Sequence, residues 1–320
     1  MSQLFHTTST LPYGDVLTKC NLTTILLRMA NPATIASARS LTRPDGVSLA
    51  FDHWPNRGPG VLFAHGFGQT RGAWGPTAQR LASSGYEVKA LDARGHGDSG
   101  WLPPGNQYAM EQFIDDLQAA AEPMRSPWLI GASMGGLLGI AAQARTRCFA
   151  GLVLVDIAPR WDARGVDRIL SFMEAFPEGF GSLSEAADAI ASYLPHRERK
   201  SEQALRAVLR EDSVGRWRWH WDPRMLNDIG RAGERHQAAL SEAARQLDVP
   251  VLLISGGRSD LIGENEVADF LRLVPHAKHR RIEHATHMVA GDQNDTFTDV
   301  IIEFLPPVAG LATDSTGALS

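Results

Sequence analysis

A chain of 320 residues that is 43% hydrophobic and 21% charged has the composition of a soluble globular protein, long enough for two ordinary domains or one large α/β domain with an insertion. A net charge of −5 with scattered basic residues gives no footprint for nucleic acid. Two cysteines, Cys20 and Cys148, exclude a disulfide framework. C-x-x-C, H-E-x-x-H and phosphate-binding glycine loops are all missing, so neither a metal nor an organic cofactor is expected.

Residues 1–38 read as a flexible N-terminal extension. The apolar run from Leu22 to Met29 is interrupted by Arg28 and is too short to span a bilayer. Ala36-Ser37-Ala38 is similar to a signal-peptidase site, but the stretch before it has no clear basic start and no clean apolar core, so the expected location is the cytoplasm with no membrane partner. From Arg39 onward the pattern alternates between strands and helices, which predicts a parallel sheet covered on both faces. Arg39 to Arg43 and Val47 to Trp54 pair as an antiparallel start across Asp45-Gly46. Then follow strands at Gly60 to Ala64, Tyr86 to Asp92, Trp128 to Ile130 and Leu152 to Asp156, with helices near Trp74 to Ser84 and Met110 to Met124. Between Pro159 and Arg245 the alternation fails, and consecutive helical patterns are expected at Val166 to Phe176, Ser184 to Leu194, Glu202 to Arg210 and Gln237 to Gln246. Strands near Val251 and His279, with helices around Glu264 to Val274 and Asn294 to Phe304, complete the chain before a flexible tail from Pro306 to Ser320.

Gly131-Ala132-Ser133-Met134-Gly135 joins a predicted strand to a small-residue helix. Glycines on both sides remove the Cβ atoms that would clash in a sharp turn, so Ser133 projects from it as a nucleophile would; the plainer reading is a turn with a serine cap. Asp260, in Gly256-Gly257-Arg258-Ser259-Asp260, and His287, in Thr286-His287-Met288, both follow strand-like runs. Three strand ends thus deliver a nucleophile, an acid and a base in the order Ser, Asp, His. Asp156 also ends a strand and is the alternative acid. Attack by Ser133 creates an oxyanion needing two backbone donors, and the amides of Phe67, in His65-Gly66-Phe67-Gly68, and of Met134 are expected to supply them.

Together these segments resemble the α/β-hydrolase superfamily over roughly residues 40 to 305, including Arg94-Gly95-His96-Gly97-Asp98-Ser99, which looks like the R-G-x-G-x-S loop and is read as architectural. The resemblance implies a mostly parallel eight-stranded sheet and a core over 39–158 and 246–305. It also implies a helical cap over 159–245, inserted after the sixth strand. In that cap, Trp217, Trp219 and Trp221 alternate with polar residues. They either glue the cap to the core or line a substrate pocket, with Trp219, Trp221, Phe172 and Phe176 the pocket candidates.

The implied activity is serine-dependent cleavage of a small or medium apolar ester or lactone, by a monomer or homodimer. Thioesterases, acyltransferases, carbon–carbon hydrolases, cofactor-free haloperoxidases and non-hydrolytic small-molecule receptors share the fold. Epoxide hydrolases and haloalkane dehalogenases of similar fold carry aspartate where this chain has Ser133, and the cap holds only Tyr193 where epoxide opening uses paired tyrosines.

Overall fold

The computed structural model describes residues 36–193, 198–230, 233–292 and 294–308. The extension and tail expected at the ends lie outside them, apart from residues 36–38, which lead into and open the first strand, and residues 306–308. In chain order the core begins with β1 (Ser37–Thr42), β2 (Ser48–Trp54) and β3 (Gly60–Ala64). A single 3₁₀ turn at Arg71–Trp74 leads into α1 (Gly75–Ser83), then β4 (Glu87–Leu91), α2 (Met110–Ala121), β5 (Trp128–Ala132), α3 (Met134–Thr146) and β6 (Gly151–Val155). The insertion carries α4 (Ala163–Glu174), α5 (Leu183–Tyr193), the short α6 (Glu202–Leu205), β7 (Leu209–Glu211), β8 (Trp217–Trp219) and a π-helical turn at Leu226–Gly230. The chain closes with α7 (Gly233–Arg245), β9 (Val251–Gly256), α8 (Glu264–Leu273), β10 (Lys278–Ile282), α9 (Val289–Asp292) and α10 (Asn294–Phe304).

Eight strands form one sheet in the order β1-β2-β4-β3-β5-β6-β9-β10. The two pairings that involve β2 are antiparallel and all others are parallel, as the sequence leads one to expect. Central strands are buried on both faces and send alternate side chains to opposite sides. Leu62, Leu129, Leu152, Leu154 and Leu253 pack under α2, α3, α7 and α8, while Phe63, Ile130, Val153, Val155 and Ile254 pack under α1 and α10. At roughly 25 cal/mol per Å² of apolar surface removed from water, each such side chain contributes about 1.5–3 kcal/mol, and this holds the strand ends in place.

The insertion departs from the all-helical expectation. The segment read as a helix from Glu202 to Arg210 stops at Leu205, and Leu209–Glu211 pairs antiparallel with Trp217–Trp219 around a turn in which Gly215 takes φ +81°. Alternating large aromatics suit a pleated strand better than a helix. α7, placed within the expected cap, packs instead on the core: Leu240 and Ala244 are buried beside Leu138 and Phe270.

Candidate active site

β5 ends at Ala132 and α3 begins at Met134, which leaves Ser133 alone at the junction with φ 46° and ψ −117°. A non-glycine residue in that conformation stores about 1–3 kcal/mol and persists only when its surroundings over-determine it. Ser133 N–H donates to Val155 O at 3.1 Å, and its carbonyl accepts from the N–H groups of Gly136 and Leu137. A Cβ on Gly131 would lie 2.5 Å from Gly135 O, and one on Gly135 would lie 2.3 Å from Ala64 O. Both glycines are therefore demanded by backbone contact, and the half-buried Ser133 faces the catalytic edge of the sheet.

The carboxylate that meets His287 is that of Asp156, not of Asp260. His287 Nδ1 lies 2.7 Å from Asp156 Oδ2. Asp156 is fully buried and its carboxylate also accepts from Gly256 N–H, at 2.7 Å, and from the Ser259 hydroxyl. Asp260 is two-fifths exposed and pairs with Arg168 on α4 at 3.5 Å. The physical reason lies in the paired glycines. A Cβ on Gly256 would sit 2.5 Å from Thr286 O and one on Gly257 would sit 2.3 Å from Glu283 O, so these glycines clear a path for the loop after β10 to cross the end of β9. His287 thereby reaches β6, whose last paired residue Val155 stands opposite Ala132. With Nδ1 donating to a carboxylate, Nε2 is left as the ring's proton acceptor. His284 is exposed and outside this arrangement.

Across the sheet edge, His65 Nδ1 donates to Gly66 O at 2.8 Å while its Nε2 accepts Ala93 N–H at 3.0 Å. Gly66 O and Phe67 N belong to one peptide plane, so the imidazole fixes the direction of the Phe67 N–H. That N–H meets no protein acceptor among the described residues. His96 is fully buried: its Nε2 accepts Gly68 N–H at 3.1 Å and its Nδ1 donates to Arg94 O. Burial pushes the pKa of both rings below the ordinary histidine value, which matches their single-proton bonding. The loop that holds His96 is pinned by Arg94, bidentate on buried Asp116, and by the Ser99 hydroxyl on Asp92 O, in keeping with an architectural role. Met134 N–H, first in α3, supplies a second donor beside Ser133.

An apolar cavity of about 110 Å³ opens on Ser133. Phe67 and Met134 border it, with Leu137 and Leu138 of α3, Trp161, Val166, Ile169 and Leu170 around α4, Ile229 and Leu240 beyond, and no charged side chain. The aromatic residues expected in the pocket lie elsewhere. Phe172 stacks on Tyr193 at 4.1 Å, Phe176 meets Phe180 at 4.6 Å, and Trp219 packs edge-on against Phe180 at 5.5 Å. Trp221, 3% exposed, rests on Phe67 and beside Met173. The indoles thus glue the insertion together and onto the core. The lining residues that sequence reasoning missed, Val166, Ile169 and Leu170, share one face of α4 at helical spacing, while Phe172 packs on the insertion's own cluster. Only that periodicity could have signalled them.

Residues 57–294 match the family described as serine aminopeptidase, S33. The 3-hydroxybutyrate-oligomer hydrolase of Cupriavidus necator is 27% identical over 247 residues, covering 72% of this chain and 83% of that protein. An esterase of Mycobacterium tuberculosis is 27% identical over 263 residues, covering 78% of this chain and 83% of the relative. Among solved structures, E-2-(acetamidomethylene)succinate hydrolase superposes with a TM-score of 0.73 at 23% identity, over 84% of this chain and 99% of that one. No helix among the described residues is long and apolar enough to cross a membrane.

Proposed function

The chain belongs to the serine aminopeptidase S33 family of α/β-hydrolases and is a carboxylic ester hydrolase; from that premise we propose that it cleaves small or medium apolar esters or lactones through an acyl-enzyme on Ser133. The observation that carries the reading is the uncharged cavity ending at Ser133, beside the His287–Asp156 pair. His287 Nε2 takes the hydroxyl proton as Ser133 Oγ attacks the ester carbonyl carbon, and Asp156 steadies the imidazolium that forms. The oxyanion is held by Phe67 N–H and Met134 N–H, each such donor worth about 3 kcal/mol. Collapse of the tetrahedral species expels the alcohol, which takes the proton back from His287. Water, deprotonated by the same imidazole, then releases the acid.

The absence of any charge in the lining argues for a neutral apolar acyl or alkyl group. A cavity of roughly 150 Å³ accommodates benzene, so the smaller volume here suits a group on the order of four to six carbon atoms. The Cupriavidus relative, named for oligomers of a short hydroxy acid, is consistent with that size. The test is a hydrolysis profile over p-nitrophenyl esters of rising chain length and over lactones, together with fluorophosphonate labelling. The expected result is an optimum at short acyl chains, covalent label on Ser133, and no turnover by Ser133→Ala. Label elsewhere, or turnover retained in that variant, overturns the reading.

A further inference from the structure

Three histidines grip the loop that carries Phe67, and the third comes from the insertion rather than the core. His220 follows β8 and is 2% exposed. Its Nδ1 accepts Gly97 N–H at 2.8 Å, so that nitrogen carries no proton; the proton sits on Nε2, which donates to Gly68 O at 3.1 Å. One neutral ring thus ties together two core loops, the one that bears the oxyanion donor and the one from Arg94 to Ser99.

The same spot gathers other contacts from the insertion. Gly68 has φ +74°, and a Cβ there would lie 2.7 Å from Met173 Cε and 3.7 Å from Trp221 Nε1. Asp222 N–H donates to Gly95 O at 2.8 Å, and Arg210 pairs with Asp98 at 2.7 Å. The segment from His220 to Asp222 therefore runs along the loop before Ser99 and presents a single polar side chain to the residue after Phe67. Gly68 N–H is fixed by His96 and Gly68 O by His220, so the peptides on both sides of Gly68 are each held by a buried imidazole.

We propose that His220 is a positioning residue for the oxyanion hole: through its Nε2–H bond to Gly68 O, the insertion anchors the loop just beyond Phe67 and so keeps in place the amide whose direction His65 sets. This rests on the ester-hydrolase reading of Ser133 given above. Misplacement of a catalytic group by about 1 Å from a change remote from the reacting atoms can cost a hundredfold in rate. His220 touches no reacting atom. Its loss must therefore act through the geometry of the loop and fall on the chemical step.

Two amide variants separate the clamp from simple packing. In His220→Asn the side-chain oxygen stands near the place of Nδ1 and keeps the Gly97 bond, but nothing reaches Gly68 O. In His220→Gln the longer side chain carries an N–H to the place of Nε2 and restores that bond. Expected is a kcat about 10- to 100-fold lower for His220→Asn with KM little changed, and an equal fall in the rate of fluorophosphonate reaction with Ser133, because the phosphonyl oxygen needs the same donors. His220→Gln should recover most of both rates although its melting temperature is lowered as much as that of the Asn variant. Equal kcat in the two variants, or losses seen only in KM or melting temperature, would overturn the clamp alone. A wild-type protein that neither turns over esters nor reacts with the phosphonate would overturn the esterase reading and the clamp together.

Discussion

The sheet edge and the insertion above it are built by different means. At the edge, position follows from strand register: Ala132 stands opposite Val155 and Val155 opposite Ile254, so Ser133 and Asp156 emerge side by side from two buried strands, with Ser255 level with them on the third. In the insertion, position follows from side chains packed on side chains, with Phe180, Leu183, Ala187 and Leu205 forming a small core of their own, supported by two strands of three residues each. A backbone ladder fixes atoms whatever side chains it carries. An aromatic cluster fixes them only while its members stay large. The sheet edge is thus the part whose geometry is least sensitive to sequence, and the insertion the part most easily altered.

The largest effect should come from removing the carboxylate that register supplies. Asp156→Asn leaves the imidazole without its orienting acceptor and should lower kcat by about 10⁴, whereas Asp260→Asn, at an exposed ion pair, should stay within a few-fold of wild type. Rates of both folded variants on one ester decide it, and the opposite ranking would return the acid to the loop after β9.

Next in size, Trp219→Ala should cost about 3 to 5 kcal/mol of stability and reduce turnover of short and long esters by the same factor, since the indole packs on Phe180 and Phe172 and its buried N–H has no acceptor among the described residues. Denaturant unfolding and a two-ester comparison test this. A chain-length-dependent change would put Trp219 back in the pocket.

A somewhat smaller effect should appear as a pH dependence of stability. Burial lowers the His220 pKa to about 4, well under its unfolded value. Below pH ~6.5 the unfolded chain takes up a proton that the folded one refuses. Stability is therefore full above that pH and is lost as pH falls toward about 4, with about 3 kcal/mol at stake for this ring. Burial pushes His65 and His96 the same way, so His220→Gln should flatten the slope without abolishing it. Melting curves between pH 4 and 7 on the order of half a unit apart would resolve this, and identical slopes in variant and wild type would contradict it.

The smallest change is the most informative about selection. Leu170→Ala enlarges the cavity beside Ser133 and should shift kcat/KM toward longer acyl groups by about 1 to 3 kcal/mol. An unchanged profile would mean that the acyl group lies elsewhere.

The alternation of strands and helices, the glycine-flanked Ser133 and the loops holding His65 and His96 were all legible in the sequence, because each is marked by a pattern of adjacent residues. The acid was not. Asp156 and Asp260 both follow strands, and the choice between them depends on the path of the loop after β10, which brings His287 to a residue 131 positions earlier. The paired glycines before Asp260 present no acid to His287; they let another backbone pass. The pocket was hidden for a related reason: the aromatics are the insertion's most conspicuous apolar residues, while one apolar face of α4 looks like any core stripe until the direction of the helix is known.

The neighbouring registers of β5 and β6 also bear on heating. Ser133 and Asp156 sit in one hydrogen-bonded block that opens only with the whole sheet, whereas His287 rides on a loop held by a few turn bonds, among them Arg258 N–H to Ala285 O. Segments tied in this way detach at lower free energy than the strands beneath them. Warming should therefore silence the enzyme reversibly while its circular dichroism is still native: two members of the triad keep their places, and the third is the first to leave.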